Sequence, residues 1–225
     1  FNIVKSGGII LPKREKVQVA QVPAESSGQV QQEAPEKETK DDYIFTPCRE
    51  PVEDIEILKD IYNSVSVALT HRAERGEKMP RLFKAVHAKA WFLRYYKGYS
   101  YDDVGAELGV SSQAISNTYK KNGWVAIFEA ELLGECAEYA IWKRFFPDYQ
   151  WLGGRHDPDL VSPDGKVVVE VKARRRLSAS LSSFVNKAER EHLERGGEMI
   201  LVLVRYDVGS CRVEFYRVEL KKKKE

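Results

Sequence analysis

The chain is poor in cysteine. Its 225 residues include three, Cys48, Cys136 and Cys211, which are widely spaced and form no Cys-x-x-Cys pair. A disulfide framework would need an even set at short spacing, and a zinc site would need paired ligands. Neither is predicted, and we expect reduced, buried thiols.

Long apolar runs are also missing. No stretch is long enough to cross a bilayer, and residues 1–11 lack the basic-then-apolar layout of a signal peptide. We therefore expect a cytoplasmic protein with no membrane partner. Because the first residue is Phe1 rather than Met, we also expect a piece of a longer polypeptide or a processed product, and both alternatives stay open.

Neither sign of charge dominates. The 36 Lys and Arg residues nearly balance the 34 Asp and Glu residues, which gives a net charge of +2. A uniformly basic coat for nucleic acid is thereby disfavoured, and local basic patches on a mixed surface are expected. The 43% of hydrophobic residues is enough for two small domains with real cores.

Composition divides the chain into four parts. Residues 12–42 are rich in Gln, Glu, Lys, Pro and Ser, which predicts a flexible tail or linker over 1–45. Apolar residues at helical spacing return from Pro51 to Ala73 and again from Arg81 to Tyr96, which predicts a helical domain over 46–123. A second domain is expected over 124–220, followed by a basic tail at 221–225.

The chemistry is concentrated around one apolar strand. The run from Lys166 to Lys172 is β-branched and reads as a central strand. Side chains alternate along a strand, so Glu170 and Lys172 share one face while Val171 points into the core. An ionised glutamate there is costly unless it binds something, and a divalent cation such as Mg²⁺ suits its oxygens.

A tight turn before this strand brings in a second carboxylate. Pro163, Asp164 and Gly165 stand where a type I turn prefers them, which predicts a hairpin with Asp159 beside Glu170. Asp164 also follows a proline and is a rival ligand. It would sit at the tip of the hairpin, however, and serve turn geometry.

Pro158-Asp159 followed by Glu170-Val171-Lys172 resembles the signature of the PD-(D/E)XK nuclease superfamily. The resemblance implies Asp159 and Glu170 as ligands of Mg²⁺, with Mn²⁺ as a substitute, and Lys172 as the residue that orients the attacking water. Products with 5′-phosphates are implied as well. The motif is short, and a hairpin with exposed charges is the alternative.

A helix ahead of these strands is expected to supply another acid. Residues 134–142 resemble the corresponding helix of archaeal Holliday-junction resolvases, which implies Glu138 as a catalytic residue and metal ligand. Glu135 is a second choice and Glu131 a third. A surface acid on an amphipathic helix remains the alternative for each of them.

The resemblance implies an α+β or α/β fold. Residues 124–220 are expected to form a restriction-endonuclease-like αβββαβ domain with a central mixed sheet. Its later elements are predicted as a helix from Ser180 to Arg195, a buried strand over 199–204 and an edge strand over 212–218.

Residues 97–116 resemble the helix-turn-helix of sigma-factor region 4. Ser100 and Ser111 are predicted to cap the two helices, Gly109 to make the turn, and Gly105 to permit their close crossing. Ile115 anchors the second helix inward. A helical hairpin used only for packing or protein contact is the alternative.

Two sets of residues are predicted to contact DNA. Gln and Asn can read adenine edges, while Ser, Lys and Arg reach phosphates. The outward positions of the second helix are Ser112, Gln113, Ser116, Asn117, Lys120 and Lys121, and the basic run after the strand is Arg174, Arg175 and Arg176.

Both halves of the chain point to DNA, so the predicted function is a Mg²⁺-dependent DNA endonuclease targeted to duplex by an N-terminal all-α helix-turn-helix domain. A homodimer is expected for double-strand cleavage. Two alternatives stay open: a structure-selective junction resolvase or repair nuclease, and an inactive DNA-binding regulator, packaging or mobile-element protein.

Overall fold

The computed structural model describes residues 42–117, 123–153, 158–175 and 180–221, and within them it has eight α-helices and six strands. The helices are α1 Glu56–Asn63, α2 Val65–Glu74, α3 Ala85–Tyr95, α4 Tyr101–Leu108, α5 Ser112–Ser116, α6 Trp124–Glu131, α7 Leu133–Phe145 and α8 Lys187–Glu194. The strands are β1 Tyr43–Glu53, β2 Gln150–Trp151, β3 Leu160–Val161, β4 Val167–Arg174, β5 Glu198–Asp207 and β6 Ser210–Leu220.

The six strands form one mixed sheet in the order β1-β6-β5-β4-β3-β2. Strands β4 and β5 are parallel, and all other neighbours are antiparallel. The expected α+β class with a central mixed sheet is confirmed. From α7 onward the elements follow the expected sequence of helix, three strands, helix and two strands, although the assignment of that order to a nuclease fold remains a prediction.

Strand β4 is buried on both faces. Its residues Val169, Val171 and Ala173 pack into one hydrophobic cluster with the helices, whereas Val168 packs into a second cluster with β5 and the segment before α8. A parallel strand pair needs a crossover connection, and the 3₁₀ turn Leu181–Phe184 and α8 supply it. The crossover covers the second face and buries Val185 there.

Strand β1 was not predicted. It occupies residues assigned above to the end of the tail and the start of the helical domain, and it pairs along β6 from Tyr43↔Leu220 to Glu53↔Arg212. The expected edge position of β6 is therefore wrong, because β1 covers that edge. Pro47 and Pro51 hide the strand signal, and the register shifts near them let the pairing continue.

The helices and the sheet share one core. A single cluster of buried residues contains Ile57 of α1, Trp91 of α3 and Val169 of β4, and helix α3 packs against α6. The described residues all belong to one compact unit. The domain boundary expected at 123/124 stays a prediction.

Two predicted helices differ from their expected extent. The helical stretch from 51 to 73 is divided into α1 and α2 at Ser64, and the helix expected from Ser180 begins only at Lys187. Asn186 causes the later start, because its side-chain oxygen accepts hydrogen bonds from the backbone N–H groups of Ala188 and Glu189.

No helix among the described residues combines the length and apolar character needed to span a membrane.

Helices α4 and α5 form the predicted helical hairpin. Ser100 and Ser111 cap them by accepting hydrogen bonds from Asp103 N and Ala114 N, and Gly109 has the left-handed φ of 69°. Ile115 is buried. These local expectations are confirmed, and the resemblance to a DNA-binding helix-turn-helix remains a prediction.

Gly105 and Gly134 should respond oppositely to alanine. A Cβ at Gly105 would lie 2.7 Å from Val110 O and 3.1 Å from Ser112 N, whereas one at Gly134 would come no nearer than 3.8 Å to Glu138 Oε1. We expect Gly105→Ala to lower the free energy of unfolding by about 1–3 kcal/mol. Gly134→Ala should raise it by up to about 1 kcal/mol through helix propensity.

Urea unfolding followed by circular dichroism measures both changes, with each helical glycine as the control for the other. Equal effects at the two positions would contradict the close crossing of α4 and α5.

Candidate functional site

The β3–β4 hairpin positions the first pair of acids. Leu160 pairs with Val169 and Val161 with Val168, so one further step places Asp159 opposite Glu170. Directly opposed residues of an antiparallel pair share one face of the sheet. The hairpin that was predicted from the turn residues is thus present, and it brings these two residues to one place.

Asp164 serves the turn, as expected. Its Oδ1 accepts hydrogen bonds from Ser162 Oγ at 2.7 Å and from Lys166 N at 3.1 Å. Gly165 adopts a φ of 71° beside it, which only glycine takes without strain. These bonds, the Ser162 bond first, hold the pKa of Asp164 below its ordinary value.

Asp159 is buried at 3% exposure, where an ionised carboxylate is poorly solvated. Its Oδ2 accepts a hydrogen bond from Val171 N at 2.7 Å, which extends the contacts between the two strands past the last ladder pair. Burial raises the pKa of Asp159 to about 6, against the opposing effects of Lys172 and of the Val171 hydrogen bond. The carboxyl group can therefore hold a proton in mildly acidic solution.

Glu170 and Lys172 project from one face of β4, as predicted, and form an ion pair through Glu170 Oε1. Glu170 is 5% exposed. Among the described residues its second oxygen, Oε2, is buried and has no hydrogen-bond partner. A buried carboxylate oxygen without a donor is unfavourable, so this position is suited to a further positive group or a ligand.

Glu138 joins this pair from α7. It lies within hydrogen-bonding reach of Asp159, and Trp151 Nε1 donates to its Oε2 at 3.4 Å. Burial, and then the charge of Asp159, raise the pKa of Glu138 well above its ordinary value. Since the two carboxyl groups act on each other, their titrations are linked.

The structure separates Glu138 from the other acids of the same helical region. Glu135 forms an ion pair with Arg72 and lies 3.7 Å from Arg75 Nη2. Glu131 is half-buried, and its backbone oxygen accepts from Arg72 Nη2 at 3.4 Å. Only Glu138 of the three is placed beside Asp159, which favours the first of the three predicted choices.

Sequence reasoning missed a fourth acid, Glu189 of α8. It is 1% exposed, and its charge is close enough to raise the pKa of Asp159. Burial raises the pKa of Glu189 itself, against the opposing effects of the Asn186 hydrogen bond and the charge of Lys172. Both of its oxygens accept from Asn186, through N at 2.5 Å and Nδ2 at 2.8 Å. The Asn-x-x-Glu spacing of a capping box was the available signal. We call Glu138, Asp159, Glu170 and Glu189 the carboxylate cluster.

The basic residues after β4 take different positions. Arg174 is exposed, and its Nη1 donates to Ala173 O at 2.9 Å. Arg175 Nη1 donates to Tyr95 Oη at 2.9 Å. The negative charge of Glu129 attracts the guanidinium of Arg175. Arg175 is exposed as well, but its guanidinium joins this network within the protein, which the sequence did not predict. Arg176 lies outside the described residues.

The predicted contact residues of α5 differ in exposure. Gln113 is exposed, whereas Ser112, Ser116 and Asn117 are half-buried. Helix α5 ends at Ser116, and the predicted contacts Lys120 and Lys121 lie outside the described residues. Gln113 is the residue of this set that is best placed to reach a partner.

The carboxylate oxygens of the cluster are donors of the type that a divalent cation binds. In the described ranges, however, no group of three His, Cys, Asp or Glu side chains is arranged to hold such an ion. Asp159 and Glu138 are close enough for each to act on the pKa of the other, and Glu170 Oε1 pairs with Lys172. The unpartnered Glu170 Oε2 and the hard oxygen donors around it match what Mg²⁺ binds. A cation here would favour the ionised forms of these carboxyl groups.

Comparison with protein-family models, with curated proteins and with solved structures gave no match. The resemblance to the nuclease superfamily therefore remains a prediction, and the site is judged on its own geometry.

The two Pro-Asp aspartates should have opposite effects on stability as pH changes. The folded pKa of Asp159 is about 6 against an ordinary value of 3.8, so ionisation of Asp159 destabilises the fold as pH rises between these values. We expect Asp159→Asn to be more stable than wild type at pH 7–8 and to lose this advantage by about pH 4.

Asp164→Asn is the matched control. Its lowered pKa contributes stability that is present above the unfolded pKa and is lost as pH falls, so this variant should be less stable at pH 7 and should approach wild type in acid. Urea unfolding in EDTA from pH 4 to 8 measures both. A pH-independent difference for Asp159→Asn would contradict its buried ionisation.

Proposed function

We propose that the protein is a Mg²⁺-dependent deoxyribonuclease that hydrolyses phosphodiester bonds at the carboxylate cluster. The observation that carries the proposal is the buried Glu170 Oε2, which lacks a donor among the described residues, opposite Asp159 and beside Lys172. Buried acids with a neighbouring lysine in this arrangement are more costly than a stable fold requires. A functional ligand explains their presence.

A cation would resolve the electrostatic conflict within the cluster. Burial disfavours the ionised forms of Asp159 and Glu138, and the charge of Asp159 raises the pKa of Glu138 further. A divalent ion reverses this balance because it favours deprotonated ligands. Mg²⁺ needs few protein ligands and keeps several waters, so Asp159 and Glu170, assisted by Glu138, would suffice to hold it, with Mn²⁺ as a substitute.

When bound, such an ion supplies Lewis-acid stabilisation of the phosphoryl oxygens and lowers the pKa of water. The chain's own groups do the rest. Lys172 Nζ, freed from Glu170 Oε1, would donate hydrogen bonds to the attacking water or to a phosphate oxygen and fix its direction. Val171 N holds Asp159 Oδ2, so that carboxylate is already oriented before substrate arrives.

DNA would be held outside the cluster by two surfaces. Gln113 on α5 is exposed and has the donor and acceptor that read an adenine edge, and Arg174 is exposed at the end of β4, two residues after Lys172. Phosphate contacts of this kind position a duplex, whereas base contacts select its sequence. A homodimer would place two clusters on the two strands.

Nuclease activity is the direct test. Purified full chain should cleave labelled linear, single-stranded or four-way-junction DNA with Mg²⁺ and not with EDTA. Asp159→Asn and Lys172→Ala should lower the cleavage rate by about 100-fold or more, since each removes a group acting at the reacting phosphate. Gel analysis of the products, including their 5′-phosphates, measures this.

The turn residues supply controls of the same types. Asp164 and Lys166 are an exposed Asp and Lys in the adjacent turn, so Asp164→Asn and Lys166→Ala should cleave at the wild-type rate. Equal rates for Asp159→Asn and wild type would refute the site. Binding of duplex without cleavage of any substrate would favour an inactive DNA-binding protein instead.

Duplex binding by α5 is tested without catalysis. In EDTA, Gln113→Ala should weaken binding of mixed-sequence duplex, since a lost bidentate base contact costs about 1–3 kcal/mol. Asn63→Ala removes an exposed amide from α1 and serves as the control. Fluorescence anisotropy at fixed salt measures both dissociation constants, and unchanged binding of Gln113→Ala would exclude α5 as the contact helix.

A further inference from the structure

An aromatic cleft lies between α2 and α7, next to the carboxylate cluster. His71, Tyr139, Trp142 and Trp151 line a cavity of about 450 Å³, with Lys143 at its rim. We call these five residues the aromatic cleft. Its volume falls within the roughly 300–1,000 Å³ of typical ligand pockets.

The rings of the cleft are arranged with nearly parallel planes. His71 and Trp151 stack at 3.8 Å between centroids with 22° between planes, and Trp142 stacks with Trp151 at 6.0 Å and 24°. Tyr139 meets both indoles edge-on. All four rings are half-buried, unlike Trp91, which is fully buried in the core. The cleft therefore leaves part of its aromatic surface accessible to the solvent.

Hydrogen bonds directed into the protein hold the two indoles. Trp142 Nε1 donates to Tyr149 O at 2.6 Å, and Trp151 Nε1 donates to Glu138 Oε2 at 3.4 Å. The indole N–H groups are thus used internally, and a ligand would contact the part of the ring surface that the stacked, half-buried side chains leave exposed. Trp151 belongs to the wall of the cleft and also contacts the carboxylate cluster, so the two sites are neighbours.

The charge at the rim suits a phosphate. Lys143 is exposed, and its Nζ lies 4.5 Å from the centroid of Trp142 and 5.8 Å from that of Tyr139. An ammonium beside aromatic faces is the combination that binds a base together with its backbone phosphate. The cavity is also lined by one acidic residue, Glu74.

We propose that the aromatic cleft binds an unpaired nucleobase of a DNA strand whose backbone passes the carboxylate cluster. This inference rests on the proposed nuclease function and specifies its substrate as DNA with unpaired nucleotides, such as a splayed end or a junction. A base in a closed duplex is stacked on both sides and offers no face to the cleft. Stacking accepts every base, so the preference is for strand structure and not sequence.

Binding in EDTA tests the inference without cleavage. The full chain should bind single-stranded DNA, and duplex with a splayed unpaired arm, more tightly than blunt duplex in fluorescence anisotropy at fixed salt. Trp142→Ala should weaken binding of the two unpaired substrates about 5- to 100-fold, the range expected for one lost base stack. Its affinity for blunt duplex should not change. Trp142→Phe keeps a ring and should retain most of the affinity.

Tyr62→Ala is the matched control, because Tyr62 of α1 forms a second half-buried stack with Phe92 of α3, and neither residue lines the cleft. It should bind all three DNAs as wild type does. Unchanged binding of the unpaired substrates by Trp142→Ala, or an equal loss for blunt duplex, would overturn the inference.

A second measurement needs no variant and so does not depend on how Trp142→Ala folds. Fluorescence of 2-aminopurine in the unpaired arm should be quenched by wild-type protein, and absence of quenching would also overturn the inference. Cleavage without quenching would reject the cleft and leave the nuclease proposal intact. Quenching without any cleavage would reject the nuclease proposal and leave base binding in place.

Discussion

Strand β4 pairs with β5 in parallel and with β3 in an antiparallel hairpin, and both of its faces are buried. A parallel pair requires a crossover, so the 3₁₀ turn and α8 must pass over one face of the sheet while the other helices cover the opposite face. The side chain of Glu170 on β4 then faces protein rather than water. The placement of Glu170 and Lys172 on this strand is what sets the chemistry of the molecule.

The carboxylate cluster is an electrostatic conflict that the fold maintains. Burial disfavours ionisation of both Asp159 and Glu138, and the charge of Asp159 adds to this effect at Glu138. Lys172 and the Val171 N–H favour ionisation of Asp159. Glu189 adds a further negative charge even though Asn186 binds both of its oxygens. Helix capping gives Glu189 a structural role. Capping does not explain why Glu138, Asp159 and Glu170 lie close together in the same cluster. Proposed cation binding accounts for them together.

Helix α7 connects this cluster to the rest of the molecule. Its Ala137 and Ile141 lie in the main core, Glu138 reaches Asp159, and Trp142 lines the aromatic cleft. The ion pairs of Glu135 with Arg72 and Arg75 hold the start of α7 against α2. Because one rigid helix carries these groups, the spacing between the cluster and the cleft is built into the core packing.

Local spacing in the sequence was enough to determine the β3–β4 hairpin, the alternation of β4, the turn role of Asp164 and the caps of α4 and α5. Each depends on residues a few positions apart, whose geometry the backbone dictates. Only the tertiary structure decided that β1 covers β6, that Arg175 binds Tyr95, and that Glu138 rather than Glu135 faces Asp159. These outcomes depend on contacts between residues that are far apart in the chain. For α7, helix periodicity alone allows several faces to turn toward the sheet, and core packing selects among them.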